Sequence, residues 1–462
     1  MTALDERGPF ITSAPKLGLV SGFDGFRGVG MFMILIVHSL SSYLESWATL
    51  VDSFFVLSGF LITTLLLQEV RSTGTINLRK FYLRRATRLL PSVWLFAAVW
   101  LVISTISTLV GFEPLSLRHV GADVLAAVGY VYHLFFPNGL ATIEPAVQEH
   151  RTMWHLWTLS VEEWFYFFIA GTALLCVRKR WVKQLGILMA VGFVAIGLAR
   201  FMAYTGFFQD DEGMLPGVRM AFVMRPDGLM LGMALAVFNA HLTAERIAKL
   251  RKPALIGANV ALVVWFLTLN LSSEAVAKLG YPYVEYLPGT PEEFTRTQMM
   301  SEMYWFRFGH TICMAAFAVM TFVLVHYREW WVSRIWSWEP FQWIGRLSYT
   351  LYIWHALPFI FLFGATGGTD VGARATLVRV PLLVIAAFAV AIPVYYWVEM
   401  PVLRMKLRFA SEPEVLDRTT GQMVTSGEAG TPEVALEHAS SADGAPSAER
   451  DGAPGEPGAP RS

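Results

Sequence analysis

Apolar residues in this chain are gathered into runs of roughly 17 to 25, long enough at ~1.5 Å per residue to cross a ~30 Å hydrocarbon core as helices. Backbone polar groups at that depth must be satisfied within the protein, so repeated runs of this length confine the chain to a membrane helix bundle. Taken in order, the runs predict spans near residues 28–44, 51–67, 89–112, 156–177, 185–207, 218–242, 253–271, 305–326, 341–363 and 377–398. The expected fold is all-α, a polytopic bundle of about ten transmembrane helices. Only 16% of residues are charged and 55% are hydrophobic, against about 25% charged in soluble domains. The formal net charge is zero, so no global field draws nucleic acid, and no nucleic-acid partner is expected.

The connectors divide by charge. One side carries Arg71, Arg79, Lys80, Arg84, Arg85 and Arg88, then Arg178, Lys179, Arg180 and Lys183, then Arg246, Lys249, Arg251 and Lys252. The other is poor in Lys and Arg and holds Asp210, Asp211, Glu212, Glu285, Glu292 and Glu293. By the positive-inside rule the basic side is cytoplasmic. An even span count then places both termini there, in a cell membrane. Residues 121–136 are apolar enough to resemble a further crossing, but counting them would turn the Arg178 cluster outward, so a re-entrant or interfacial helix is expected. Residues 1–22 carry no signal-peptide pattern and read as a cytoplasmic segment. From Ser411 to Ser462, Gly, Ala, Pro, Ser and Glu replace the aliphatics, which predicts a disordered cytoplasmic tail. Cys176 and Cys313 fall inside apolar runs and read as small hydrophobes.

Ionisable residues inside spans cost about 2.5 to 3.5 kcal/mol on insertion scales and are expected to face the bundle interior. His38 is the first. Arg27 precedes it by eleven residues, which at ~100° per step is three turns within ~20°, so the two share one helix face about 16 Å apart in height. An imidazole titrating near neutrality can take a proton from a hydroxyl and hand it to a leaving group, as O-acyl transfer from a thioester requires. A core histidine bonded to a neighbour is the competing reading. Ser58 and Gly59, in a span that opens at Asp52, permit close helix approach or a channel. Ser58 has no nucleophile-elbow context. Arg85 and Arg88, at the cytoplasmic mouth of the third span before Pro91, have the spacing of one helix face and suit phosphates, topology signalling or anionic lipid. Trp157-Thr-Leu-Ser-Val-Glu162-Glu163 opens the fourth span from the outer side, with carboxylates able to orient His38 or bind a sugar hydroxyl. Arg225 and Asp227 are expected to pair with each other or with neighbouring helices. His355 is a lesser candidate, since nothing in the sequence sets it near His38. His119, His133, His150 and His155 lack metal-site spacing, so no metal is expected, and P-loop and dinucleotide glycine patterns are missing.

In order, Arg27 then ten residues then His38, the FFVLSGFL run, Arg85-x-x-Arg88, WTLSVE, RPDGLMLG, SYTLYIWH and the closing Glu399-Met-Pro resemble the acyltransferase-3 family of multi-pass membrane proteins, which includes bacterial O-antigen and Nod-factor acyltransferases. The resemblance covers residues 23–404. It implies a bundle that moves an acyl group from cytoplasmic acyl-CoA, a co-substrate and not a permanently bound cofactor, to a hydroxyl of a glycan, glycolipid, other lipid-linked or secondary-metabolite acceptor. It implies His38 as catalytic base with Glu162, and Arg27, Arg85 and Arg88 as donor-binding residues. Asp52, Ser58, Glu163, Arg225 and Asp227 complete the expected substrate site. Some members append an extracytoplasmic hydrolase-like domain, whereas the expectation here is a disordered tail, with the acyl group passing through the bundle or to a separate partner. The rival reading is a transporter of a saccharide or lipid-linked substrate, because buried charges in a bundle also mark substrate pathways.

Overall fold

The computed structural model describes residues 20–40, 47, 49–112, 115–134, 152–203, 225–270, 309–365 and 373–409, together with two short antiparallel pairs, Gln209–Asp210 with Gly213–Met214 and Glu414–Leu416 with Met423–Thr425. Segment 1–19, His150, the acidic residues Asp211, Glu212, Glu285, Glu292 and Glu293, and most of the tail lie outside the described residues.

Helix α1 spans Ser21–Leu40, α2 Leu50–Thr73, α3 Leu78–Leu109, α4 Leu117–Val128, α5 Trp157–Lys179, α6 Val182–Ala203 and α7 Asp227–Ala240. Then follow α8 Ala244–Asn270, α9 His310–His326, α10 Trp331–Trp336, α11 Glu339–Trp354, α12 Ala356–Ala365, α13 Ala373–Val394 and, after a π turn at Tyr395–Glu399, α14 Met400–Phe409. The protein is a multi-pass helical membrane protein. Among the described residues, six helices are long and apolar enough to cross a bilayer, and α7 and α9 are shorter apolar helices. Every predicted run overlaps a helix, but the boundaries moved. At twelve residues, α4 is about 18 Å long and too short to cross alone; it packs along α3.

The turn between α2 and α3 shows how local sequence sets these bounds. Gly74 takes a left-handed φ of 78° and its N–H caps Val70, a conformation that costs a glycine little. Three residues on, the Asn77 side chain accepts the Lys80 N–H at 3.0 Å and starts α3. The 341–363 run is broken in two at His355. Its ring Nδ1 lies 2.8 Å from the Tyr352 carbonyl, the acceptor that an uninterrupted helix would give to the amide of residue 356.

Two backbone-to-backbone crossings organise the bundle. In the first, α1 lies against α10 and α11. A Cβ on Gly25 would sit 1.4 Å from the Trp336 carbonyl oxygen, one on Gly28 1.9 Å from that of Phe341, and one on Gly345 1.8 Å from that of Asp24. In the second, α2 crosses α7, where a Cβ on Gly59 would sit 2.2 Å from the Leu229 oxygen and one on Gly232 2.1 Å from the Val56 oxygen. Small residues therefore permit backbone contact at both crossings, as membrane helices without a hydrophobic driving force between them require. One apolar cluster holds Phe26, Leu35, Phe317 and Leu347, and another holds Phe96, Trp100, Tyr166 and Trp354. The polar residues of interest fall where α1 and α11 of the first cluster meet α3 and α5 of the second.

Replacing Gly345 by Val is expected to destabilise the protein by more than about 3 kcal/mol, because the clash is with backbone and not with a side chain that can rotate away. The thermal midpoint in detergent should fall sharply. Gly171→Ala, whose added Cβ meets nothing within 4 Å, should leave the midpoint unchanged or raise it.

Candidate active site

Arg85 sits two turns into α3, and Glu163 six residues into α5. The arginine donates from Nε and Nη2 to Glu163 Oε1, at 3.1 and 2.6 Å, and its guanidinium carbon lies 3.8 Å from the Tyr166 ring centre. This corrects the expected arrangement, in which Arg85 and Arg88 occupy the cytoplasmic mouth and Glu162 and Glu163 the outer belt. Starting at Leu78, α3 carries Arg85 about 10 Å inward, and α5 brings Glu163 about 9 Å in from its own end. The two meet at one level inside the bundle. Ser58 on α2 reaches both Glu162 and Tyr166, and Glu162 has Arg85, Glu163 and Arg27 as charged neighbours. Arg27 donates to Asp24 at 3.0 Å.

Arg88, one turn beyond Arg85, is exposed, yet its charged neighbours are Arg27 and Asp24 of α1, Arg85 of its own helix and Glu399 of the π turn. Its exposed surface therefore opens into a cleft bounded by α1, α3 and the π turn. Arg27, Ser58, Arg85, Glu162 and Glu163 are partly exposed along the same cleft. Glu399 is buried and accepts from the Thr350 hydroxyl. π turns recur at functional sites, and this one lengthens the helix by the residue that turns Glu399 inward.

His38 lies in the last turn of α1, nearer the helix end than the span 28–44 implies. Its Nδ1 is 2.9 Å from His355 Nε2, with the rings stacked at 5.1 Å between centres. The sequence offers no reason to place His355 there, and the structure does. His155 completes a trio, its ring edge-on to His355 at 5.0 Å and its Nε2 3.0 Å from the Ile353 carbonyl. His38 is partly exposed, whereas His155 and His355 are each 1% exposed. His38 is thus within hydrogen-bond distance of His355, while the expected partner Glu162 sits with Ser58 and Arg85.

A second charged group ties the far ends of α2, α6, α7 and α9. Arg225 Nε donates to Asp52 Oδ1 at 2.6 Å, and His310 Nδ1 lies 2.5 Å from Asp52 Oδ2. Arg200 Nη2 donates to both oxygens of Asp227 at 2.9 Å, and its Nη1 to Thr311 at 3.0 Å. Arg225 reaches Asp52 from a left-handed backbone, φ 47°, just before Pro226. Arg225 and Asp227 thus pair with neighbouring helices and not with each other, and Asp52 and Asp227 are 0% exposed. Sequence reasoning missed Arg200 and His310, although both are ionisable residues inside expected spans, the very signal that singled out His38. Among the described residues no group of three His, Cys, Asp or Glu side chains has the arrangement of a metal site.

Arginines and carboxylates of four helices thus meet inside the bundle of a multi-pass membrane protein, and α1, which supplies Arg27, also carries the partly exposed His38. The sequence profile of the acyltransferase-3 family, described as an acyltransferase domain, matches residues 20–396, and the chain belongs to that family. A Staphylococcus aureus (strain COL) protein provisionally named an O-acetyltransferase is 27% identical over 360 residues, covering 74% of this chain and 51% of the relative. The peptidoglycan O-acetyltransferase OatA of Listeria monocytogenes is 26% identical over 388 residues, covering 83% and 56%. A Bacillus subtilis protein provisionally named a peptidoglycan O-acetyltransferase is 23% identical over 412 residues, covering 88% and 58%. The chain spans about half the length of the curated relatives it matches. No solved structure matches it.

Removing one partner of a buried ion pair leaves the other charge uncompensated. Arg200→Ala is expected to cost about 3 to 5 kcal/mol, and the paired change Arg200→Met with Asp227→Leu much less than either single change. Thermal unfolding in detergent reads both.

Proposed function

We propose that the protein is a membrane O-acyltransferase that takes an acyl group from cytoplasmic acyl-CoA and delivers it to a hydroxyl of a cell-envelope glycan. Ten crossings with both termini cytoplasmic complete this reading, supported by the alternation of basic and acidic connectors. Peptidoglycan is the acceptor class to try first, given the names of the relatives. The carrying observation is Arg88, a cation with exposed surface whose charged neighbours come from α1 and the π turn as well as from its own helix.

In this reading Arg88 and Arg27 hold the donor phosphates. Glu163 grips Arg85 by its Nε and Nη2 edge, which leaves Nη1 for a phosphate oxygen. The thioester lies farther along α1, near His38. His38 takes the proton of the acceptor hydroxyl as the acyl carbon–oxygen bond forms, the carbon–sulfur bond breaks, and the proton passes to the departing thiolate. Glu162, bridged to Ser58, holds the cleft wall beside Arg85 and supplies a carboxylate for a sugar hydroxyl. Asp52, Arg225 and Asp227 serve the substrate site indirectly, by holding α2, which carries Ser58, against α6, α7 and α9.

Membranes bearing the wild type should release thiol from acetyl-CoA only when a glycan acceptor is present. His38→Ala should lower the rate by about 10²- to 10⁴-fold, and Arg88→Ala should raise the donor KM about 10- to 100-fold through loss of a charge-assisted contact. Acceptor acylation without thiol release would remove acyl-CoA as donor. Movement of unmodified saccharide across the membrane, with no acylation by folded protein, would replace the transferase reading with transport.

A further inference from the structure

The polar side chains from Tyr349 to Trp354 of α11 are all committed to other elements. Tyr349 donates to the Leu89 carbonyl of α3 at 2.6 Å, Thr350 to Glu399, and Trp354 Nε1 to Ser92 at 3.1 Å. Tyr352 donates to the His155 carbonyl, and its hydroxyl lies 2.5 Å from that of Thr158. His355 is therefore held on a helix end fixed from three directions, and its own ring contacts decide where its proton sits.

His355 Nδ1 faces two carbonyl oxygens, Tyr352 at 2.8 Å and Leu351 at 3.2 Å. Carbonyls only accept, so Nδ1 carries the hydrogen. A second proton would place a charge on a ring that is 1% exposed, packed against Phe359 at 5.5 Å and against His155 and His38. No carboxylate faces it among its ring contacts or hydrogen-bond partners, so the neutral form is the one the site accommodates. The lone pair of His355 then lies on Nε2. That nitrogen is 2.9 Å from His38 Nδ1 and must accept, which makes His38 Nδ1 the donor and leaves the His38 lone pair on Nε2.

We infer that His355 is a positioning residue: through this hydrogen bond it fixes His38 in the tautomer whose Nε2 is basic, and it turns the His38 ring toward the cleft. The inference rests on the reading of His38 as the base of acyl transfer. The logic is that of a base oriented by a third group, with a neutral imidazole in place of the usual carboxylate. When His38 takes a proton on Nε2, its Nδ1 hydrogen stays donated to the same lone pair, so the ring does not turn during the transfer. His155 adds a T-shaped contact to His355 that restrains its ring.

The test has two arms. In full-length protein carrying isotope-labelled histidine, long-range proton–nitrogen spectra should show His38, assigned by its loss in His38→Ala, with a protonated Nδ1 and a bare Nε2. His355→Leu should mix or reverse this pattern. In the activity arm, His355→Leu should lower kcat about 10- to 100-fold with the donor KM unchanged. His355→Gln, whose side-chain oxygen can accept from Nδ1, should recover most of that loss, and the His38→Ala/His355→Leu pair should be no slower than His38→Ala alone. A protonated His38 Nε2 in the wild type overturns the proposal, as does a kcat unaffected by His355→Leu or lowered equally by Leu and Gln. The expected tautomer in a protein that transfers no acyl group would overturn the enzymatic reading and leave the hydrogen bond from His38 to His355 standing. If His355→Leu does not fold, the wild-type spectrum and His355→Gln decide.

Discussion

The cleft and the histidine pair are both referred to the contact between the first helix and the helix at residues 339–354. Gly25, Gly28 and Gly345 let the two backbones touch, and rigid contact of this kind fixes rotation as well as distance. With α1 locked in rotation, Arg27 and His38 must both face the same way, since they lie on one stripe of the helix. With the partner helix locked, the residues of its last two turns reach α3, α5 and the π turn. The crossing therefore sets the cleft and the histidine pair together, and a side chain added to any one of these glycines would disturb both.

The two charged layers use opposite strategies. At the far ends of α2, α6, α7 and α9, the carboxylates of Asp52 and Asp227 are fully covered and matched by guanidinium and imidazole. Matching satisfies charges that would otherwise be prohibitive in a low dielectric, and it binds four helices to one another. In the cleft, by contrast, Arg88 keeps exposed surface and Arg27 and Arg85 are only partly covered. A closed network can hold a frame, and an open one can meet a ligand.

The helical membrane class, the family and the polar residues of the cleft were legible in the sequence, because burial in lipid demands long apolar runs and makes each charge within them conspicuous; of the ten expected spans, six described helices are long and apolar enough to cross. Depth was less legible. Arg85 and Glu163 were assigned to opposite faces because run boundaries were read from hydropathy, and the polar first turns of α3 hid the fact that the helix had already begun at Leu78. His355 escaped for a different reason. It meets His38 across 317 residues, and a single sequence records which residues are polar but not which helices are neighbours.

The stripe that joins Arg27 to His38 also has a length. About 16 Å of helix separates the anchoring end from the base, and the glycine crossing keeps that helix from sliding to shorten it. The first helix thus works as a ruler under the proposed chemistry. A donor anchored by phosphate must carry its acyl group at the end of a long flexible arm, as a coenzyme thioester does, whereas a short acyl phosphate held at the same arginines would leave its carbonyl several turns away from the imidazole. Selection among activated acyl groups would then be made by reach before any pocket has measured the acyl chain itself.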